Sequence, residues 1–373
     1  MVDNIQIQFM VEKSIGKGED SAPILLSTES SAITGVFDGM GGSGASICMS
    51  DFGEGHTKAY VASRIIRDAI YNYLNDQSGI DTDIIKNVCL DRLALEKEKY
   101  PSAKSTLRSK LVRDYPTTLA LASAKDDSDE IVIDSYWAGD SRNYLWMKDG
   151  FFQISKDDLI DNNDPLENLS NDSALSNCVC ADQDFLINHL CLRIPKQPFI
   201  LLSATDGCFG YFHTPMHFEN LLASSLFASQ SLDEWEKFLI ERIQEVTGDD
   251  FSLSLVAIGF KDFNSLKEML GMPTNEYVVS IIQQQEKISE IKERLIESEM
   301  DLKTIIRNCW NEYQSRYSQY ISIPLEANRA ITESGLGEVG ENSELVNDSD
   351  DSKLIDEKEG FLKKLGKTIT GKK

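Results

Sequence analysis

Aspartates that lie far apart in this chain each abut a run of residues suited to a buried strand. Asp38 follows Ala32–Phe37, Asp140 follows Ser135–Gly139, Asp206 follows Phe199–Thr205, and Asp249 and Asp250 precede Phe251–Ile258. One such Asp commonly starts a turn. Several of them suggest a cluster at one edge of a sheet layer. Burial and mutual repulsion would raise their pKa values and destabilise the fold unless cations neutralised them. Oxygen donors without His or Cys suit Mg²⁺ or Mn²⁺. The chain has only 4 His, and its 7 Cys include no CxxC pair. That argues against a zinc framework and fits a reducing compartment. Glycines after Asp38 let the backbone come close, so a carbonyl oxygen can also serve as a ligand.

Apolar runs rich in Ile, Val, Leu, Phe and Tyr predict strands over Ile5–Val11, Ala32–Phe37, Thr117–Ala124, Ile131–Trp137, Asn143–Met147, Phe185–Ile194, Phe199–Ala204 and Ser252–Phe260. Lys148-Asp149-Gly150 is a hairpin signal. Helical spacing predicts helices over Gly44–Leu74, Ile80–Lys99 and Leu232–Val246. Strands and helices come in blocks, which argues for an α+β layered domain rather than a doubly wound parallel sheet. The 61 Asp and Glu against 37 Lys and Arg give a formal charge of -24, which repels phosphate backbones and argues against nucleic-acid binding. No apolar run reaches the ~18 residues that would span a bilayer, and the first residues lack a signal-peptide pattern. The expectation is a soluble cytoplasmic protein.

From Asn275 to Ile321 there is no Pro or Gly. A heptad frame puts Ile281, Ile288, Leu295, Leu302 and Cys309 at one core position, and Ile291 and Ile305 at the other, where Gln284, Ser298 and Glu312 interrupt. Self-association or partner binding through 275–321 competes with a helix packed on its own body. Residues 325–373 read as a disordered acidic linker ending in a short basic tail.

Several segments together resemble the metal-dependent protein phosphatases (type 2C Ser/Thr phosphatases, PPM-type) in their bacterial form. They are Gly18-Glu19-Asp20-Ser21, Val36 to Gly42, Thr117-Thr118-Leu119-Ala120, Ala138 to Arg142, Leu202 to Gly207 and Asp249 to Ser252. The resemblance covers about residues 5–262 and implies a four-layer αββα sandwich of two antiparallel β-sheets flanked by helices. The implied domains are 1–262 for the phosphatase, 263–324 for a long helix or coiled-coil extension, and 325–373 for the tail. It also implies that a metal-bridging hydroxide directly attacks phosphoserine or phosphothreonine in a phosphoprotein substrate, as part of signalling.

The implied cofactor is a pair of Mg²⁺ or Mn²⁺ ions, with a weak third. Asp38 would bridge the pair, the main-chain oxygen of Gly39 and Glu19 would serve one ion, and Asp206 and Asp249 the other. Asp140 would serve the third with Asp206. Thr117 and Thr118 would pack the sheet beside the centre, with Ser141 and Arg142 behind the ligands. The catalytic set is then Asp38, Asp206 and Asp249.

The chain also departs from the family. Ile15 stands where an Arg usually binds the substrate phosphate, which leaves Lys13 or Lys17 as substitutes without the planar fork. Gly210 stands where a second Asp often supports the third ion, and Met40 where animal members carry a His. These losses motivate an alternative: a weak or inactive pseudophosphatase that acts as a phosphoprotein-binding adaptor. Asp157 and Asp158 read as a helix N-terminal cap.

Overall fold

The computed structural model describes residues 5–28, 31–76, 79–100, 112–160, 164–169 and 173–318. The expected linker and basic tail at 325–373 lie outside them. One sheet has the order β1 (Ile5–Val11), β12 (Phe251–Ile258), β11 (Phe199–Ala204), β8 (Arg142–Met147), β9 (Gly150–Gln153). The other runs β10 (Asn188–Pro195), β7 (Glu130–Ala138), β6 (Leu119–Asp127), β3 (Ser31–Val36), β2 (Ile24–Ser27). Every pairing in both is antiparallel. A separate hairpin joins β4 (Ile47–Ser50) and β5 (Gly53–Thr57). The helices are α1 (Gly41–Gly44), α2 (Lys58–Asp76), α3 (Thr82–Lys99), α4 (Pro165–Asn168), α5 (Pro215–Ala228), α6 (Leu232–Gln244), α7 (Phe263–Leu270) and α8 (Glu276–Tyr317).

Three apolar clusters explain the layering. Ile131, Ile133, Leu145, Leu201 and Val256 fill the space between the sheets. Ile200, Leu202 and Leu255 face the opposite way, toward Leu222 and Trp235 of α5 and α6. Leu119, Leu121 and Tyr136 meet Ile66, Ile70 and Ile85 of α2 and α3. Strands β8, β11 and β12 are therefore covered on both faces, and β11 and β12 are wholly apolar or small, while edge strand β10 is largely exposed. The result is the expected α+β sandwich, helices outside two antiparallel sheets, followed by a long C-terminal helix.

Capping sets the helix starts. Asp81, Ser231 and Asp262 accept first-turn amides of α3, α6 and α7. Leu266 and Leu270 of α7 belong to the same core cluster as β1 and β11. The chain divides into two compact units, Met1–Ile288 and Ser289–Lys373. No helix among the described residues is long and apolar enough to cross a membrane.

The expected helix Gly44–Leu74 is not continuous. It splits into α1, the β4–β5 hairpin and α2, which starts only at Lys58. Gly53 and Gly55 sit at φ +107° and +90°, outside the right-handed helical region. The cap reading of Asp157 and Asp158 is also overturned: both are tertiary ligands of other segments. Asp157 receives Arg142 Nε at 2.8 Å and Nη2 at 2.6 Å. Asp158 accepts the Gly139 amide at 3.0 Å and the Asn177 and Asn188 side chains.

Candidate metal centre

Strand register brings the acids to one end of the sandwich. Val36 pairs with Ala120, and Leu119 with Ala138, so the segments that follow β3 and β7 emerge together. Ala204 pairs with Leu253, which puts the end of β11 beside the start of β12. A buried hydrogen bond from sheet to sheet, Thr34 Oγ1 to Ser203 Oγ at 2.8 Å, fixes β3 against β11. Asp38 and Asp206 lie just beyond those two residues.

Asp38 is held by its backbone. Thr117 Oγ1 donates to its carbonyl at 2.7 Å and Thr118 N at 2.8 Å, while its amide donates to Thr118 Oγ1 at 3.2 Å. Thr118 Oγ1 continues to Ser141 Oγ at 2.6 Å. The two threonines thus couple Asp38 to the turn that carries Asp140. On the other side Ser21 N donates to Phe37 O at 3.1 Å and Gly39 N to Glu19 O at 3.2 Å. Asp20 is thereby laid alongside Asp38, and each carboxyl group acts on the titration of the other. Asp206 also bears on Asp38 through its charge.

Asp20 is the member that the sequence did not flag as a site residue. It is 1% exposed and accepts Thr205 Oγ1 at 2.9 Å and Ser252 Oγ at 2.7 Å. No periodicity marks it; only the backbone pairing of its neighbours with Phe37 and Gly39 places it.

Electrostatics bear the marks of crowding. Burial first, then the charges of Asp20, Asp206 and Asp140, push Asp38 well above the usual carboxylate range. Burial raises Asp20 to about 7, against the hydrogen bonds from Ser252 and Thr205. Burial and then Asp206 raise Asp140 to about 8. Asp206 is raised by burial and next by Asp249. Asp38, Asp140 and Asp206 nevertheless keep part of their surface open to solvent.

Glu19 is raised by burial and lies within the field of Asp250 and Asp249. Its carboxylate takes the Thr57 hydroxyl at 2.5 Å, and its carbonyl takes Ser63 Oγ at 2.6 Å. Arg64 Nη2 donates to Gly18 O at 3.0 Å, so the start of α2 clasps the Glu19 segment. Gly39 and Gly41 permit that approach: a Cβ on Gly39 would lie 2.5 Å from Ala59 O, and one on Gly41 1.8 Å from Glu19 Oε2.

Asp249 is exposed and its Oδ1 accepts the Asp250 amide at 2.9 Å. Asp250 itself ties two loops, accepting the Lys13 amide and the Glu19 amide at 2.7 Å each. The Lys13 ammonium bonds to Gly248 O, and Lys17 is exposed. Ile15 is 97% exposed. Behind Asp140, the Arg142–Asp157 pair is 3% and 2% exposed, and the guanidinium lies over the Phe209 ring at 4.3 Å.

The donor set is all oxygen, crowded and short of positive charge, and a divalent cation fits that chemistry. Among the described residues, no group of three or more His, Cys, Asp or Glu side chains is arranged as a ready-made metal cage.

No family model and no curated protein matches the sequence. Solved structures do. A serine/threonine phosphatase from Staphylococcus aureus is 16% identical, with 69% of this chain and 95% of that one covered, at a TM-score of 0.49. The catalytic domain of the phosphatase PstP in complex with two manganese ions is 18% identical, covering 68% and 96%, at 0.45. A Caenorhabditis elegans sex determining protein is 13% identical, covering 73% and 68%, at 0.50. At such identities the likeness is one of fold alone.

Proposed function

We propose that the chain is a metal-dependent Ser/Thr protein phosphatase that hydrolyses phosphoserine and phosphothreonine in phosphoproteins, with two Mg²⁺ or Mn²⁺ ions as cofactor. The observation that carries this reading is the meeting of Asp38, Asp206 and Asp140 from three strand ends with Asp20 from the loop between β1 and β2. Each has a raised pKa, and the cluster holds protons where a cation would relieve it. Asp38, Glu19, the Gly39 carbonyl, Asp206 and Asp249 would hold the pair. Asp140 with Asp206 would hold a weaker third ion. A bound divalent pair would supply Lewis acidity toward the phosphoryl oxygens and lower the pKa of a water.

The chain's own part is positioning. Thr117 and Thr118 fix Asp38, while Thr57 and Ser63 fix Glu19. Arg142 is committed to Asp157, which keeps its charge off the phosphate. Lys17 is the exposed cation on the loop that carries Ile15, and it is proposed to meet the substrate phosphate. Lys13 is a weaker candidate, because its ammonium already rests on Gly248 O.

The test is hydrolysis of a phosphopeptide by the full chain. Turnover should depend on Mn²⁺ or Mg²⁺, and EDTA should abolish it. Asp38→Asn should cost at least ~10²-fold. The fully exposed Ile15, where the fold family's phosphate-binding Arg would stand, favours a second reading, a phosphoprotein-binding adaptor without turnover. Metal binding and phosphopeptide binding without hydrolysis would select it.

A further inference from the structure

Helix α8 spans Glu276–Tyr317, 42 residues, and buries only Val278. Every residue from Glu286 to Tyr317 is exposed. Ile288, Ile291, Leu295, Leu302 and Ile305 lie on one seam and are 44% to 63% exposed. A lone amphipathic helix in water takes most of its stability from packing that face. We infer that α8 pairs with α8 of a second copy of this chain, antiparallel, with Leu295 of each copy packed at the level of Ser298 of the other.

The flanking charges decide the direction. In a heptad frame with Ile288, Leu295 and Leu302 at position a, the g residues are Lys287, Arg294, Asp301 and Asn308, and the e residues are Gln285, Lys292, Glu299 and Ile306. A parallel pair sets each g against the e five residues further on in the other copy. Lys287 then faces Lys292, Arg294 faces Glu299 and Asp301 faces Ile306. One contact attracts, one repels and one is mute.

An antiparallel pair sets g against g and e against e. With Leu295 level with Ser298, Arg294 faces Asp301 and Lys292 faces Glu299, each twice by symmetry, and no like charges meet. The apolar layers in that register are Ile288 on Ile305 and Leu302 on Ile291, again twice each. Sliding one heptad in one direction brings Arg294 onto Arg294 and Lys292 onto Lys292. Sliding one heptad the other way brings Asp301 onto Asp301 and Glu299 onto Glu299. Only the central register satisfies the charges and the seam together. Exposed ion pairs are weak, so they select orientation and register while the apolar layers supply the affinity. Ile296, Met300 and Trp310 stay outside this seam.

Sedimentation equilibrium of the full chain should give twice the 41.8 kDa chain mass. The double variant Leu295→Lys, Leu302→Lys should give the single-chain mass. Direction is read by thiol cross-linking in a Cys191→Ser background, since Cys191 is also exposed. Cys309 sits level with Gln284 of the other copy in the antiparallel pair, and the two Cys309 side chains are roughly 38 Å apart at ~1.5 Å per residue. Mild oxidation should therefore link Gln284→Cys to Cys309 between copies and leave the unaltered helix unlinked. A monomer at tens of micromolar overturns the inference. So does a Cys309–Cys309 bond in the unaltered helix, which marks a parallel pair, or a dimer in which Gln284→Cys fails to link.

Discussion

Asp20 lies alongside Asp38, although one sits in the loop after β1 and the other just past β3, because the amides of Ser21 and Gly39 pair with Phe37 O and Glu19 O. Asp20 is fixed in that contact by Thr205 and Ser252, both bonding to its Oδ2. On the proposed reading it is the rear support of Asp38, whose carboxyl would serve the cations.

Asn at position 20 tests that role. Its single side-chain oxygen can accept both hydroxyls while its NH₂ donates to Asp38. The metal-free protein should melt no lower than the parent. Mn²⁺ affinity should fall ~10- to 100-fold, the usual cost of losing a group that supports a ligand. Thermal melts with and without Mn²⁺, together with calorimetry, read both effects.

The metal-free protein should lose stability as pH rises from about 4 to 8. Burial raises Asp20 to about 7 and Asp140 to about 8, against ~3.9 in an unfolded chain. In that window the native state binds more protons than the unfolded state, so the stabilising effect is complete below the unfolded pKa and vanishes above the folded one. Melts in EDTA should show a falling midpoint, and saturating Mn²⁺ should flatten the fall. A midpoint that rises with pH in EDTA would refute the crowded-acid picture.

Thr57 and Ser63 reach Glu19 from the start of α2. Thr57→Val and Ser63→Ala should each weaken Mn²⁺ binding by roughly 10-fold, with circular dichroism unchanged. Equal binding in parent and variants would confine these bonds to the fold.

Asp157→Asn leaves the Arg142 charge buried without its counter-ion. Removing one partner of a buried pair costs about 3–5 kcal/mol. Urea unfolding should show a loss of that order, and a loss below ~1 kcal/mol would mean that solvent already reaches the pair.

Much of the architecture can be read from local pattern. Strands β1 and β11 begin and end where their apolar runs do. The register of β1 follows from which of its alternating side chains must face the core, whereas β11 is buried on both faces. The β4–β5 hairpin carries little local signal because its strands are only four and five residues long and its apolar residues Ile47 and Met49 are exposed rather than part of a core. Helix α5 was hidden by Pro215, which stands at its first turn, where a missing amide costs nothing. Asp38, Asp140 and Asp206 carry a signal because each ends a strand. Asp20 lies within a motif of the resemblance but has no periodicity signal of its own, and Thr57 has none; tertiary contacts alone bring Asp20 to Asp38, Thr57 to Glu19 and Asp157 to Arg142.

Calorimetric titration of Mn²⁺ into the full chain, beside Asp38→Asn, tests the central claim most directly. The account predicts binding at two sites per chain with proton release, as the carboxyl groups surrender the protons they hold, and loss of that binding in the variant. No heat up to millimolar Mn²⁺, or equal binding in parent and variant, would contradict it.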